Sequence, residues 1–225
     1  MEVSRLMKEF MVEYTYNSNA IEGNTLTLRE TDMVLRGITI GQKPLKDHIE
    51  AVSHKSAFYY IVDLVKENAN LTEYIIKQIH YLVLGNNNKE DREVYRSIPV
   101  KIMGAYHEPV QPYLVKPRME SLLLDYMSSK DHIVTKIAKF HIEFESIHPF
   151  IDGNGRTGRL LVNLELMKYG LPPIDIKFKD RLKYYNAFDE YHKNNNLNAM
   201  VKIFASYINE SLDKYLSILE IKENL

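Results

Sequence analysis

Residues 134–170 read VTKIAKFHIEFESIHPFIDGNGRTGRLLVNLELMKYG. Val134, Ile137, Ala138, His141 and Phe144 repeat with the 3.6-residue period of an amphipathic helix. Leu160, Leu161, Leu164 and Met167 take up the same period after an interruption. The interruption, His148 to Arg159, is polar and carries Gly153, Gly155 and Gly158. The stretch therefore predicts helix, loop, helix, with the loop closing onto the N-terminus of the second helix.

Outward from that point the helical period persists. Ile49, Val52, Ser56, Tyr59, Tyr60 and Val62 form one stripe, and Ile75, Ile76, Ile79, Leu82 and Val83 form another that ends at Gly85. Met119, Leu122, Leu123 and Tyr126 continue the series, followed by Leu182, Tyr185 and Phe188, then Met200, Val201, Phe204, Ile208 and Leu212. Thr27 and Glu30 have the spacing of a capping box ahead of Met33, Val34 and Leu35. Short connectors are expected at Asn86 to Asp91 and Gly170 to Pro173. Ser97 to Lys116 departs from this pattern. There Ile98, Val100 and Ile102 alternate with polar residues, and Pro99, Pro109, Pro112 and Pro117 argue against helix. The expectation is an all-α domain with one short β-hairpin. Residues 1–30 form an N-terminal arm, and 31–225 form the body with its core at about 70–210.

The 225-residue chain is 45% hydrophobic and 26% charged, with a formal net charge of −1. Such a balance fits a soluble globular domain and gives no global field for nucleic acid or an anionic membrane. Cysteine is absent, which excludes disulfides, thiolate metal sites and a cysteine nucleophile. No apolar run has the length of a spanning helix, and the first ten residues do not resemble a signal peptide. A cytoplasmic protein is expected, without nucleic-acid or membrane partners.

The loop from His148 to Arg159 concentrates one kind of chemistry. Gly153 and Gly155 allow backbone N–H groups to converge on an anion. The helix that follows adds its unpaired N–H groups and the positive end of its dipole. Arg156 and Arg159, three residues apart, can fork onto phosphate oxygens. Asp152 is a single carboxylate suited to Mg²⁺, which takes its other ligands from water and phosphate. His148 is a base near neutral pH. Together these groups describe a nucleotidyl- or phosphoryl-transfer site. The glycines also satisfy G-x-G-x-x-G, with Asp175 at the distance of a ribose-binding acid. That fingerprint must follow a β-strand, and here a helix precedes it. A glycine-rich surface turn with chance arginines is the other reading, and it seldom assembles all of these groups in order.

The segment matches the Fic family motif, H-x-F-x-[D/E]-G-N-G-R-x-x-R, at every defined position, and Gly170-Leu171-Pro172-Pro173, Arg181 and Tyr184-Tyr185 also resemble that family. The resemblance implies a compact helical bundle with a hairpin flap and transfer of AMP from ATP to a Ser, Thr or Tyr hydroxyl of a protein. His148 would be the general base. Asp152 would hold Mg²⁺ or Mn²⁺, and Gly153, Asn154, Gly155, Arg156, Thr157, Gly158 and Arg159 would surround the phosphates. Asn154 would lie near the α-phosphate and Arg159 would pair with the γ-phosphate. Tyr184 and Tyr185 would lie against the adenine; on their stripe alone, either tyrosine is equally a core residue. The flap, around Lys101 to Tyr106, would dock the acceptor protein by strand addition, and its Met103, Gly104, Ala105 and Tyr106 would also contact the bound nucleotide.

Ser18-Asn19-Ala20-Ile21-Glu22-Gly23 alone reads as a helix end with a solvated glutamate. Beside the Fic motif it resembles the family's inhibitory motif, [S/T]-x-x-x-E-[G/N]. Glu22 would then compete with the γ-phosphate for Arg159, and Ser18 would fix its approach through Asn154 or nearby backbone. In some members the same glutamate supports removal of AMP. His141 lies on an apolar stripe and reads as a hydrogen-bonded core histidine, and His107 as a surface-loop residue. The C-terminal stripe ending near Leu219 is either core or the seam of a homodimer. A Doc-like phosphotransferase would depart from G-N-G-R-x-x-R, and a non-catalytic binding module would lose the histidine, the acid or an arginine. This chain keeps them all.

Overall fold

The computed structural model describes residues 2–85 and 89–223, and among them it contains α-helices and 3₁₀ turns but no β-strand. The helices are α1 (Glu2–Ile21), α2 (Leu28–Leu35), α3 (Leu45–Lys66), α4 (Glu73–Leu84), α5 (Pro112–Ser128), α6 (Ile133–Ile147), α7 (Asn154–Lys168), α8 (Arg181–Asn194) and α9 (Asn198–Glu223). The Asn86–Asp91 connector falls partly on residues 86–88, and the Leu219 side chain also lies outside the described set.

Helix α7 is the axis of the molecule. Its residues from Arg156 through Leu166 are buried on every face, as expected of a helix enclosed by others. Helices α1, α3, α4 and α6 pack around it. Phe58, Ile61, Ile76, Ile79, Phe144, Phe150, Leu160, Leu164 and Phe204 form the fully buried centre. Met11, Tyr14 and Ile21 of α1 belong to the same hydrophobic cluster. The Thr27–Glu30 capping box is present: Thr27 Oγ1 accepts from the Glu30 backbone N–H at 3.3 Å, and Glu30 returns a carboxylate oxygen to the Thr27 N–H at 2.8 Å.

Three expectations are corrected. The stripe read on α3 is its outer side, with Val52 47% and Tyr59 42% exposed. Its buried side carries Glu50, His54, Ala57, Phe58 and Ile61, polar residues included because they meet polar groups of α1 and α7. On α8 the buried positions are Tyr184 and Ala187, whereas Leu182 is 66% exposed. Between Val94 and Gln111 no strand ladder forms. Pro99 and Pro109 have no N–H to contribute, and the carbonyls of Ile98 and Val110 accept from the Arg96 guanidinium instead. Only the tip has hairpin character: Ala105 N–H reaches Ile102 O at 3.3 Å, with Gly104 at φ 78°. Helix begins again at Pro112, a favoured first position. It runs through Pro117, whose missing N–H leaves only the Tyr113 carbonyl without its helical partner, and Tyr113 is 77% exposed.

Candidate active site

His148 caps the C-terminus of α6 in the left-handed conformation, φ 50° and ψ 62°, and its N–H bonds Phe144 O at 3.0 Å. Non-glycine residues occupy this region only when their surroundings hold them there. Burial pushes the imidazole down to about 4, despite the nearby charges of Glu22 and Asp152. At neutral pH the ring is therefore uncharged and ready to accept a proton.

The chain then turns through Pro149–Gly153 into α7. Gly153 has φ 80°, a conformation glycine adopts without strain. Asn154 closes the turn, with Oδ1 accepting from Phe150 N–H and Nδ2 donating to Phe150 O, both at 2.9 Å. Its amide is thus committed to the loop, and its contribution to an anion is the backbone N–H at the start of α7. Phe150 is fully buried and stacks on His80 at 3.6 Å between ring centroids. His80 Nδ1 accepts from Glu93 N–H at 3.3 Å, so Nε2 carries the proton and donates to Asp152 O at 2.9 Å. Burial depresses His80 to about 4.

Asp152 Oδ1 accepts from Gly153 N–H at 2.6 Å and from Arg156 Nη2 at 3.2 Å. Its side chain is 38% exposed, and this chain's hydrogen bonds engage one of its two oxygens. That is a fit for a cation held by one carboxylate and completed by water and nucleotide phosphate. No cluster of three or more His, Asp or Glu side chains among the described residues is arranged around a metal position. Arg156, 3% exposed at its side chain, lies between Asp152 and Glu50, with Nη1 3.2 Å from Glu50 Oε1. Glu50 also accepts from Asn24 Nδ2 at 2.9 Å.

Arg159 is buried, and its Nε and Nη2 are engaged by α1 and the residue after it. Nε donates to Ser18 Oγ at 3.0 Å, and Nη2 donates to Ser18 O at 2.7 Å and Glu22 Oε1 at 2.8 Å. Ser18 thus contacts Arg159 itself rather than Asn154. The Glu22 carboxylate lies against the first turn of α7, where a Cβ on Gly155 would come within 2.1 Å of Oε1. Gly158 faces the other way. A Cβ there would meet Glu145 Oε1 at 2.4 Å and the His141 ring at 3.0 Å, so this glycine sets the approach of α6 to α7. Thr157 is fully buried.

Tyr184 is 2% exposed, its hydroxyl 2.5 Å from His141 Nε2, while Tyr185 is 43% exposed and donates to Ile21 O at 3.0 Å. Of the pair, Tyr185 borders the end of α1, whereas Tyr184 is a buried partner of His141. Met103 and Tyr106 stand out at 88% and 62% exposure. Behind them Tyr106 N–H bonds Asp189 Oδ1 at 3.2 Å. His107, rather than lying free in a loop, approaches Ser146 O at 2.9 Å and stacks on His192.

The structure therefore brings together His148, Asp152, Gly155, Arg156, Arg159, Ser18, Glu22 and Tyr185. Glu50, His80, Arg96 and Glu145 border the site without having been singled out in the sequence. Glu145 and His148 share one turn of spacing after the His141 stripe, which was the only local sign available for any of the four.

A sequence model of the Fic/DOC family matches residues 70–166. The fold resembles that of a Fic-domain-containing signalling protein from Bacteroides thetaiotaomicron, with a TM-score of 0.85, 30% identity, and coverage of 94% of this chain and 87% of that one. The chain belongs to the Fic/DOC family. It also resembles the Fic-1 structure from C. elegans, TM-score 0.86 at 28% identity, over 98% of this chain and 66% of that one. A protein adenylyltransferase Fic from Nematostella vectensis is 32% identical over 223 residues, 96% of this chain and 51% of its own length. One of the same name from Drosophila persimilis is 34% identical over 216 residues, 94% of this chain and 42% of its own. This Fic chain spans about half the length of the curated relatives it matches. No helix among its described residues is long and apolar enough to cross a membrane.

Proposed function

We propose that this Fic chain is a protein AMP transferase that its own N-terminal helix holds inactive. The observation that carries the reading is the Arg159–Glu22 pair, set near the N-terminus of α7 beside an uncharged His148. The names of the adenylyltransferase relatives support the same reaction.

In that reaction ATP lies with its phosphates over the N–H groups that open α7, where the helix dipole favours negative charge. Arg159 takes the γ-phosphate once Glu22 has withdrawn, and Arg156 is the second cation. His148 removes the proton of an incoming Ser, Thr or Tyr hydroxyl. The hydroxyl oxygen bonds the α-phosphorus, the bond to the β-phosphate bridging oxygen breaks, and pyrophosphate departs. Asp152 would hold a Mg²⁺ or Mn²⁺ ion, whose charge offsets that of the phosphates. The segment around Met103–Tyr106 is where the acceptor protein docks.

Glu22 on Arg159 excludes the γ-phosphate or misplaces the α-phosphate. Holding the open state to about 1% needs only about 2.7 kcal/mol, within reach of a half-buried ion pair together with the two Ser18 bonds to the same guanidinium. The test is incubation of wild type, Glu22→Gly and His148→Ala with ATP labelled at the α- or the γ-phosphate. Retention of α-label by Glu22→Gly, lost when His148→Ala is added, is the expected result. Retention of γ-label alone would make the enzyme a phosphotransferase, and no retention of either would reject the reading.

A further inference from the structure

Arg96 lies outside the motif, and its side chain is committed to four backbone carbonyls. Nε donates to His148 O at 2.7 Å, Nη1 to Ile98 O at 3.1 Å, and Nη2 to Ile147 O at 3.2 Å and to Val110 O. Its backbone N–H adds a bond to Pro149 O at 2.9 Å. The residue is 3% exposed.

The four acceptors fall into two groups. Ile147 and His148 form the end of α6, where His148 takes its left-handed conformation. Ile98 and Val110 lie one on each arm of the segment that carries Met103 and Tyr106 at its tip. Because those arms share no strand ladder, the guanidinium supplies the cross-link that a ladder would have given. Only arginine presents several donors in a rigid plane able to serve diverging carbonyls at once.

We propose that Arg96 is a positioning residue for group transfer, fixing the His148 backbone and the acceptor-docking arms through one side chain. Its role in transfer rests on the AMP-transfer reading; its hold on His148 does not. Arg96 keeps base and acceptor in a common frame, so that motion of one arm is transmitted to the histidine. The groups that bear on His148 are the Glu145 backbone on α6, Glu22 just beyond α1, Asp152 from the loop, and Arg96. Burial is the main depressor of the imidazole, and the Arg96 charge acts in the same direction. Removing that charge therefore raises the pH at which His148 titrates.

The test compares Arg96→Lys and Arg96→Gln in the Glu22→Gly background, with the chain itself as acceptor for α-labelled ATP. His148 is followed separately by NMR of ¹³C-labelled histidine, its signal assigned by loss in His148→Ala. Arg96→Gln should lower transfer about a hundredfold, as a displaced catalytic group does, with binding of a fluorescent ATP analogue retained. Its His148 midpoint should move upward. Arg96→Lys keeps the charge and fewer bonds, so it should lose about tenfold in transfer and leave the midpoint in place. Parental transfer in Arg96→Lys overturns the proposal even if Arg96→Gln does not fold. An unmoved midpoint in folded Arg96→Gln also overturns it. If the parent transfers no AMP but the midpoint moves as described, the AMP-transfer reading fails and the hold of Arg96 on His148 stands.

Discussion

The Ser18 hydroxyl accepts from Arg159 Nε at 3.0 Å, and the Ser18 carbonyl accepts from Nη2 of the same guanidinium at 2.7 Å. With Glu22 on Nη2, α1 and its C-terminal neighbour supply all three side-chain bonds of Arg159. The contributions should be unequal. Glu22→Gly removes the charge and should raise AMP transfer about a hundredfold, the inverse of a 1% open population. Ser18→Ala removes one neutral acceptor, worth about 1 kcal/mol, and should raise it about fivefold. Initial rates with α-labelled ATP measure both; equal effects would mean that the pair does not act through charge.

Gly155 and Gly158 share a helix turn but face opposite neighbours, so alanine should separate them. At Gly158 the new methyl meets Glu145 and His141 inside the α6–α7 contact. Overpacking of this kind costs about 1–3 kcal/mol, or roughly 2–12 °C in melting temperature for a chain this size. At Gly155 it meets the Glu22 carboxylate and Arg159 Nη1, so it disturbs that ion pair and not the packing of α6 on α7; the melting temperature should fall less, while nucleotide binding is lost. Calorimetry that finds the two variants equally destabilised would refute this division.

His80→Phe keeps the stack on Phe150 and removes both polar contacts, leaving Asp152 O and Glu93 N–H without partners. Each buried unsatisfied group costs about 1–3 kcal/mol. The variant should melt several degrees lower and transfer AMP more slowly, because Asp152 loses its anchor. A variant with wild-type melting and rate would show that the His80 bonds are dispensable.

Acid should unfold this protein early. Burial holds His54, His80, His141 and His148 at about 3, 4, 3 and 4, against about 6.5 in the unfolded chain. The unfolded chain binds more protons between these limits, so stability is complete above about pH 6.5 and lost as pH falls. Each histidine adds up to about 1.4 kcal/mol per pH unit. Melting temperature should drop steeply from pH 6.5 to 5, and a flat profile there would contradict the burial of neutral rings.

Glu145 has the opposite sign. Burial, reinforced by Glu22, pushes its carboxyl up to about 8. Its stabilisation is complete below about pH 4.5 and declines as pH rises through 8. Glu145→Gln, which cannot ionise, should gain melting temperature over wild type at pH 8 and lose that advantage near pH 5. The same offset at both values would place the cause elsewhere.

How much of this was readable from sequence depends on range. The loop from His148 to Arg159 was legible because its groups are contiguous and flanked by clear helical periods. Glu22 was legible only through its resemblance to a known inhibitory motif. Arg96, His80 and Glu50 act over separations of 52, 72 and 106 residues, and no local pattern marks a residue for a partner that distant. The α3 face was misread because its buried side carries Glu50 and His54, which hydropathy assigns to solvent. The hairpin was misread because alternation signals extended chain, not who satisfies its carbonyls.

Met11, Tyr14 and Ile21 anchor α1 in the same hydrophobic cluster as α7. The element proposed to silence the site is consequently a supporting beam of the molecule and not a detachable plug. Cutting it away would expose the centre of the fold along with the arginine. Relief must come from a small displacement near Ile21–Gly23, where the helix ends and Gly23 turns at φ 91°. Under the proposed inhibition, an activator therefore has only the helix terminus to act upon.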